Sequence, residues 1–286
     1  MPNILNKPSE ETHIRIAEAV EKLAQTKTKA DPYDSPGSKY LLAGDRNAGF
    51  FGFVQASDLI NGTTLASEVG ITQGTAINTE TPWIKYIWKH KVCFTPLKTL
   101  RHSISWDAIY AAGAVYGTGS AISEGEQWML DNDDNYDPDT DRVSQNAIVT
   151  IGGLQYRVRL FRGAADDPTD SYADSDRGSI GADNEWNGII LPIHHRAKTQ
   201  NWNYPAYAGA TEYWNVDLTD EDLLTHNDFG SGSYSWCQET RDTIQGEEPT
   251  FSRRVAYGAL GASHLAAGPS SSVGSGHGFR PVLELL

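Results

Sequence analysis

Residues 155–161 read QYRVRLF. Tyr156, Val158 and Leu160 alternate with Arg157 and Arg159, so an extended chain here has one apolar face and one cationic face, the pattern of a half-buried strand. Working outward, KYLLA (39–43), FFGFVQ (50–55), IKYIWK (84–89) and KVCFT (91–95) read as further strands. FRPVLELL (279–286) reads as a last strand, limited near its start by Pro281. Between them lie short segments with helix punctuation. Ser57 precedes DLI, Thr64 precedes LASEV with Gly70 after it, and Ser105 precedes WDAIYAA with Gly113 after it. Thr219 precedes DEDLL, with Asp222 at the acidic position of a capping box. These elements are too short for a doubly wound parallel sheet, and their connections are often longer than hairpin turns. The expected class is α+β: a loop-rich mixed body with small twisted sheets.

The chain has 286 residues, enough for one large domain or two small ones. Hydrophobic residues make up 39% and charged residues 21%, which excludes a disordered or fibrous chain. The net charge of −14 argues against a nucleic-acid groove, which needs clustered Lys and Arg, and against attraction to anionic lipid. Most of that charge lies in residues 121–187, where 15 acidic residues face 5 basic ones. No apolar run approaches the roughly 18 residues of a spanning helix, so no membrane insertion is expected. The start, MPNILNKPSEETHIRI, lacks the apolar core of a secretory signal, so synthesis in the cytosol without export by that route is expected.

Residues 9–27 read as one amphipathic helix. Ser9 is its N-cap, Glu10 and Glu11 lie in its first turn, and Ile16, Val20, Leu23 and Ala24 fall on one face. Pro32, Pro36 and Gly37 then break regular structure. This gives a division into residues 1–38, a helix and Pro/Gly linker for anchoring or oligomerisation, and residues 39–286, the body. A short helix cannot bury its apolar stripe alone; it needs the body, a copy of itself or a partner.

Three features bear on chemistry. Asp131, Asp133, Asp137, Asp139 and Asp141 recur at alternate positions of an acidic run and offer the oxygens that calcium takes, although the glycine and final glutamate of an EF-hand loop are missing. The other reading of this run is a solvated loop that carries charge. Trp186, Trp202, Tyr204, Tyr207, Tyr213, Trp214, Tyr234 and Trp236 crowd one region; core packing is the reading for each Trp taken singly. NWNYPAY is polar around its aromatics and contains Pro205, so Trp202, Tyr204 and Tyr207 are candidate ligand contacts on a loop. His194 and His195, read as strand residues after LPI, point to opposite faces and do not pair on one metal. Cys93 and Cys237 stand alone and read as buried thiols. No GxSxG, GxxxxGK[ST], HExxH or strand-to-helix GxGxxG occurs, and no catalytic residue is singled out.

Several strings, in order, resemble tailed-bacteriophage virion structural and tail-fibre proteins. They are KYLLAGDRNAGFFGFVQASDLI (39–60), GITQGTAINTETPWIKYIWKHKVCFTP (70–96), RHSISWDAIYAAGAVYG (101–117), GGLQYRVRLFRGA (152–164), EWNGIILPI (185–193), GSYSWCQET (232–240), RRVAYGALG (253–261) and GFRPVLELL (278–286). The resemblance implies a non-enzymatic virion component made in the host cytoplasm. Its N-terminal helix would contact other virion proteins or its own copies in a homo-oligomer. A tail-fibre or baseplate adhesin that binds host surface glycan or protein is the first expectation. A capsid decoration or head-fibre protein is the second, and a glycan-degrading virion enzyme the third. The closing Gly278-Phe279-Arg280 before a strand, with a Trp-rich interior, also resembles the C-type-lectin-like, formylglycine-generating-enzyme-like fold. That implies neighbouring termini and a loop-rich binding face, without the oxidase activity, which needs two nearby cysteines. The acidic insert at 120–147 departs from the phage pattern. Arg280 is expected to find a carboxylate or carbonyl partner inside the fold.

Overall fold

The alternation in QYRVRLF becomes a strand that is paired on both sides. In the computed structural model, which describes residues 34–132, 142–169, 184–199, 212–226, 229–241 and 253–286, β8 (Leu154–Arg159) lies between β7 (Ile148–Ile151) and β13 (Val282–Leu285). Its register sets Val158 opposite Leu283 and Tyr156 opposite Leu285. Beyond β13 come β5 (Lys91–Pro96), β4 (Trp83–Trp88), β2 (Ala48–Val54) and the two-residue β1 (Ala43–Gly44), which completes a seven-stranded, fully antiparallel sheet.

The second sheet has six strands in the order β11 (Leu265–Pro269), β10 (Arg253–Gly258), β9 (Tyr234–Arg241), β12 (His277–Phe279), β6 (Arg101–His102) and β3 (Thr75–Ala76). Here β9 and β12 run parallel and the other pairs antiparallel. The body is therefore α+β, as expected, but the sheets are larger than the sequence suggested. Much of the second sheet comes from segments with no clean alternation, because β9 and β10 are buried on both faces.

Five helices of four to nine residues are described: α1 (Gly62–Glu68), α2 (Trp106–Ala111), α3 (Glu124–Asn132), α4 (Glu185–Ile193) and α5 (Asp220–Leu223). Ser105 caps α2 by accepting the Ala108 N–H, and Thr219 and Asp222 form the capping box of α5. Two expected caps are corrected. Asn61, not Thr64, caps α1 and accepts the N–H of Thr64 itself. Ser57 lies inside a single 3-10 turn, Ala56–Asp58. In KYLLA only Ala43 is in a strand. Ser38 turns the chain just before it by bonding the Tyr40 backbone, and Tyr40 and Leu42 are exposed.

EWNGIILPI folds as α4. It is apolar on nearly every side, as a helix enclosed by its own protein must be. His194 and His195 follow at its end rather than on a strand, so their rings stack at 4.5 Å instead of pointing apart. His194 Nδ1 accepts the Arg196 N–H, which leaves Nε2 to donate to Asp220 at 3.2 Å. A path of rings links the sheets through α4. Tyr86 of β4 stacks on Phe161 at 6.2 Å, Phe161 meets Trp186 edge-on at 5.2 Å, and Trp186 stacks on Tyr257 of β10 at 4.9 Å. Arg280 lies fully buried over Trp186, donating from Nε to the Pro96 carbonyl at 2.9 Å and from Nη1 to the Leu223 carbonyl at 3.0 Å. Its partners are carbonyls, and it ties β5 and α5 to the link between β12 and β13. Cys93 and Cys237 are free and buried, and burial raises both thiols above the usual range. No helix among the described residues is long and apolar enough to cross a membrane.

Candidate functional site

The β4–β5 hairpin turns on Lys89 and His90, both in the left-handed region at φ 45° and 66°. Such two-residue turns usually carry Asn-Gly. Here the neighbouring 45–48 turn holds the backbone: the carbonyls of Asn47 and Arg46 accept the N–H groups of Lys89 and His90 at 2.7 and 3.1 Å. The result places Trp88 and Lys89 between two hollows. The larger, about 630 Å³, runs between the two sheets past Tyr116, Thr118, Asp167 and Glu239. The smaller, about 540 Å³, is walled by Asp45, Asn47, Glu212 and Trp214. Trp88, Lys89 and Ala165 line both. The Trp88 ring also lies against Gly188 of α4, where a Cβ would meet it at 2.5 Å.

Charges around the larger hollow fall into two groups. On one side Arg159, 6% exposed, forks onto Glu185 at 2.7 and 2.8 Å, donates from Nε to Glu284 at 3.1 Å and touches Cys93 Sγ. Burial opposes the Arg159 charge, but the Glu185 carboxylate more than offsets it and holds the guanidinium well above its usual range. Glu185 also accepts the Tyr86 hydroxyl at 2.9 Å and the Arg162 N–H at 3.2 Å. The sequence pattern placed Arg159 on the solvent face of its strand; Glu185 draws it inside.

On the other side are two carboxyl groups with few partners. Glu239 of β9 accepts the Gly163 N–H at 2.8 Å, and Asp167 accepts the Thr240 N–H at 2.8 Å. Burial, reinforced by the negative charge of Asp167, pushes Glu239 up to about 8. Burial pushes Asp167 up to about 6, against the pull of the Thr240 N–H and of Arg254. At neutral pH Glu239 thus favours its protonated form and Asp167 its ionised form. Gly125, in the first turn of α3, lies so close to Asp167 that a Cβ would overlap its carboxyl group. The Arg162 guanidinium is exposed and makes no hydrogen bond or ion pair among the described residues.

Trp202, Tyr204, Tyr207, Asp133, Asp137 and Asp139 lie outside the described residues, as does the helix read at 9–27. Asp131 is exposed near the end of α3 and accepts from Gln127 at 2.9 Å, so it is a helix residue rather than part of a loop. Among the described residues no group of three or more His, Cys, Asp or Glu is placed to hold a metal ion. Trp186, Trp214 and Trp236 are buried, in keeping with the core reading. Sequence reasoning missed Trp88, Tyr116 and Glu239. Two signals were present: an acid in the middle of the strand YSWCQETR, and a hairpin between two strong strands with no glycine in its turn.

Chemically, the two hollows offer a mixed set of donors, acceptors and charged groups beside indole rings. No protein-family model, curated protein or solved structure matches the chain.

Proposed function

We propose that this chain is a non-enzymatic virion protein of a tailed bacteriophage, a host-recognition component of the tail, and that it binds a host surface ligand. The order of the eight strings across residues 39–286 supports the virion assignment. The observation that carries the recognition role is the pair of adjoining hollows at Trp88, built on strands and lined by hydrogen-bonding and aromatic side chains. The finer fold proposal is a C-type-lectin-like body, supported by Arg280 of the Gly-Phe-Arg string lying buried over Trp186. Residues 9–27 are proposed to join the body to other virion proteins or to its own copies.

The same hollow favours one second reading, glycan hydrolysis, because Glu239 holds a proton at neutral pH beside a second carboxyl group. Purified full-length protein should bind susceptible cells and release no sugar from their envelope; release of reducing ends would replace adhesion by hydrolysis. Quantitative mass spectrometry and labelled-antibody electron microscopy of intact particles should give a few copies at the tail end. Hundreds over the head would make it a decoration protein, and absence from the particle would overturn the virion reading.

A further inference from the structure

The first sheet ends at β7, which is paired on one side only. The phase of that pairing is fixed from across β8: Gln155, opposite Thr150, gives its carbonyl to the Leu286 N–H at 3.1 Å, away from β7. Hydrogen-bonded and non-hydrogen-bonded pairs alternate along an antiparallel ladder. The β7–β8 bonds therefore fall at Val149–Tyr156 and Ile151–Leu154, and Ile148 and Thr150 turn their N–H and C=O groups outward. Among the described residues these groups have no hydrogen-bond partner. Gly113 closes the edge at Ala147, whose N–H its carbonyl accepts at 3.1 Å. At the other end Gly152 and Gly153 turn the hairpin in open space.

Sheet edges that stay single are blunted by shortness, proline, charge or a bulge. Among the described edges, β1 and β3 have two residues each and β11 ends in Pro269. β7 reads IVTI, with no charge or proline and an unbroken register, and Ile148 is 38% exposed. No charged residue occurs from Val143 to Tyr156, although the chain carries a net charge of −14. The open groups identify what fits. When two copies of β7 run antiparallel about a two-fold axis at Val149, Ile148 of each lies opposite Thr150 of the other. These are the residues with outward groups, so every open N–H meets an open C=O, and the edge is complementary to itself as an isologous contact requires. Val149 meets its own copy on the core side and Ile148 lies beside Thr150 on the solvent side, so the cross-strand pairs are β-branched and bring no like charges together. We propose that β7 is a self-association edge, which joins the first sheets of two copies into one continuous sheet about a two-fold axis at Val149. The contact is separate from the hollows and from residues 9–27.

The test uses the full chain. Sedimentation velocity over a range of concentrations gives the oligomeric state, and hydrogen exchange is read at the Ile148 and Thr150 amides. Both amides should slow as the dimer forms. Thr150→Pro removes an outward N–H and leaves the ladder to β8 intact. It should weaken dimerisation about tenfold or more, because each copy loses a donor, and leave the Tm of the monomer unchanged. Ile148→Lys changes an exposed side chain and should also weaken the dimer, by placing charge in the contact. Val149→Cys keeps a small apolar side chain and should form an intermolecular disulfide on oxidation, because facing Cα atoms of a non-hydrogen-bonded pair lie about 4.5 Å apart. Thr150→Cys should not, since the register sets the two copies of Thr150 opposite Ile148 and not opposite each other. A disulfide from Thr150→Cys without one from Val149→Cys overturns the two-fold register. Oligomers that survive both Thr150→Pro and Ile148→Lys, with the Ile148 and Thr150 amides open, overturn the β7 contact and leave residues 9–27 as the joining element. A monomer at every concentration overturns the β7 contact and joining of copies through residues 9–27 together.

Discussion

Glu185 and Glu239 are both buried glutamates, 0% and 2% exposed, and both lie near the larger hollow. Their neighbours treat them in opposite ways. Glu185 is met by the two arms of Arg159, the Tyr86 hydroxyl and the Arg162 N–H. Glu239 receives only backbone N–H groups, those of Gly163 and of Glu239 itself, and faces a second acid, Asp167. The first glutamate is a fastener: its charge is matched by an opposite charge fixed in geometry, and it ties α4 to β8 and β4. The second is kept short of partners, so its proton stays on at neutral pH. Burial alone therefore does not decide what an acid does in this protein; the donors within reach decide it.

Breaking the fastener should have the largest effect. Glu185→Ala leaves Arg159 buried without its main counter-charge and should cost about 3–5 kcal/mol in urea unfolding. The paired replacement of Arg159 by Met and Glu185 by Leu should recover much of that loss; if it is as unstable as the single variant, the ion pair is not the cause.

The Glu239 side of the comparison is read through pH. Its folded value of about 8 lies above the ordinary 4.5, so the stability it lends is full below about pH 4.5 and is lost as pH rises through 8. Asp167 adds the same trend at lower pH, its share lost as pH rises from 3.8 through about 6. The Tm should fall between pH 5 and 8. Glu239→Gln, which keeps the shape and removes the titration, should flatten the upper part of that fall. At pH 9 the variant should melt at least about 2–4 °C above the wild type, corresponding to about 1 kcal/mol for a body of this size. A wild-type Tm that is flat over this range would show that Glu239 is not held protonated.

Gly125→Ala should cost about 1–3 kcal/mol, because the new methyl must displace the Asp167 carboxyl group. It should also shift the lower part of the pH dependence and leave the part due to Glu239 in place. The smallest effect is a silence. Cys93, beside the Arg159 fork, and Cys237 are buried with raised pKa values, so neither should react with a disulfide reagent at pH 8 before the protein unfolds.

Five strands of the first sheet, β2, β4, β5, β8 and β13, were legible because most of their sequences alternate or carry dense β-branched and aromatic residues, as in IKYIWK and QYRVRLF; β7 was not read, and KYLLA was read as a strand of which only Ala43 is one. The caps of α2 and α5 were legible because Ser105 and Thr219 act on neighbours three residues away. The second sheet was not. Tyr234–Arg241 and Arg253–Gly258 mix Ser, Gln, Glu and Arg into strands buried on both faces, and nothing local announces that burial. The helix EWNGIILPI hid its period by being apolar all round. The site was the least legible part, because Trp88, Tyr116, Asp167 and Glu239 are brought together by sheet packing rather than by spacing. Only Asn47 and Lys89 meet through turns that a sequence reader can anticipate.

The position of β13 has one more consequence. This strand lies between β5 and β8, and within the first sheet it is the link between the β1–β2–β4–β5 meander and the β7–β8 hairpin. It is also the last strand of that sheet to leave the ribosome. Until then both halves carry an open edge with unpaired backbone groups, and β5 waits about three quarters of the length of the body for its neighbour. Pairing of β13 is thus the last step of this sheet in chain order, and until then both open edges must be kept from pairing with other copies.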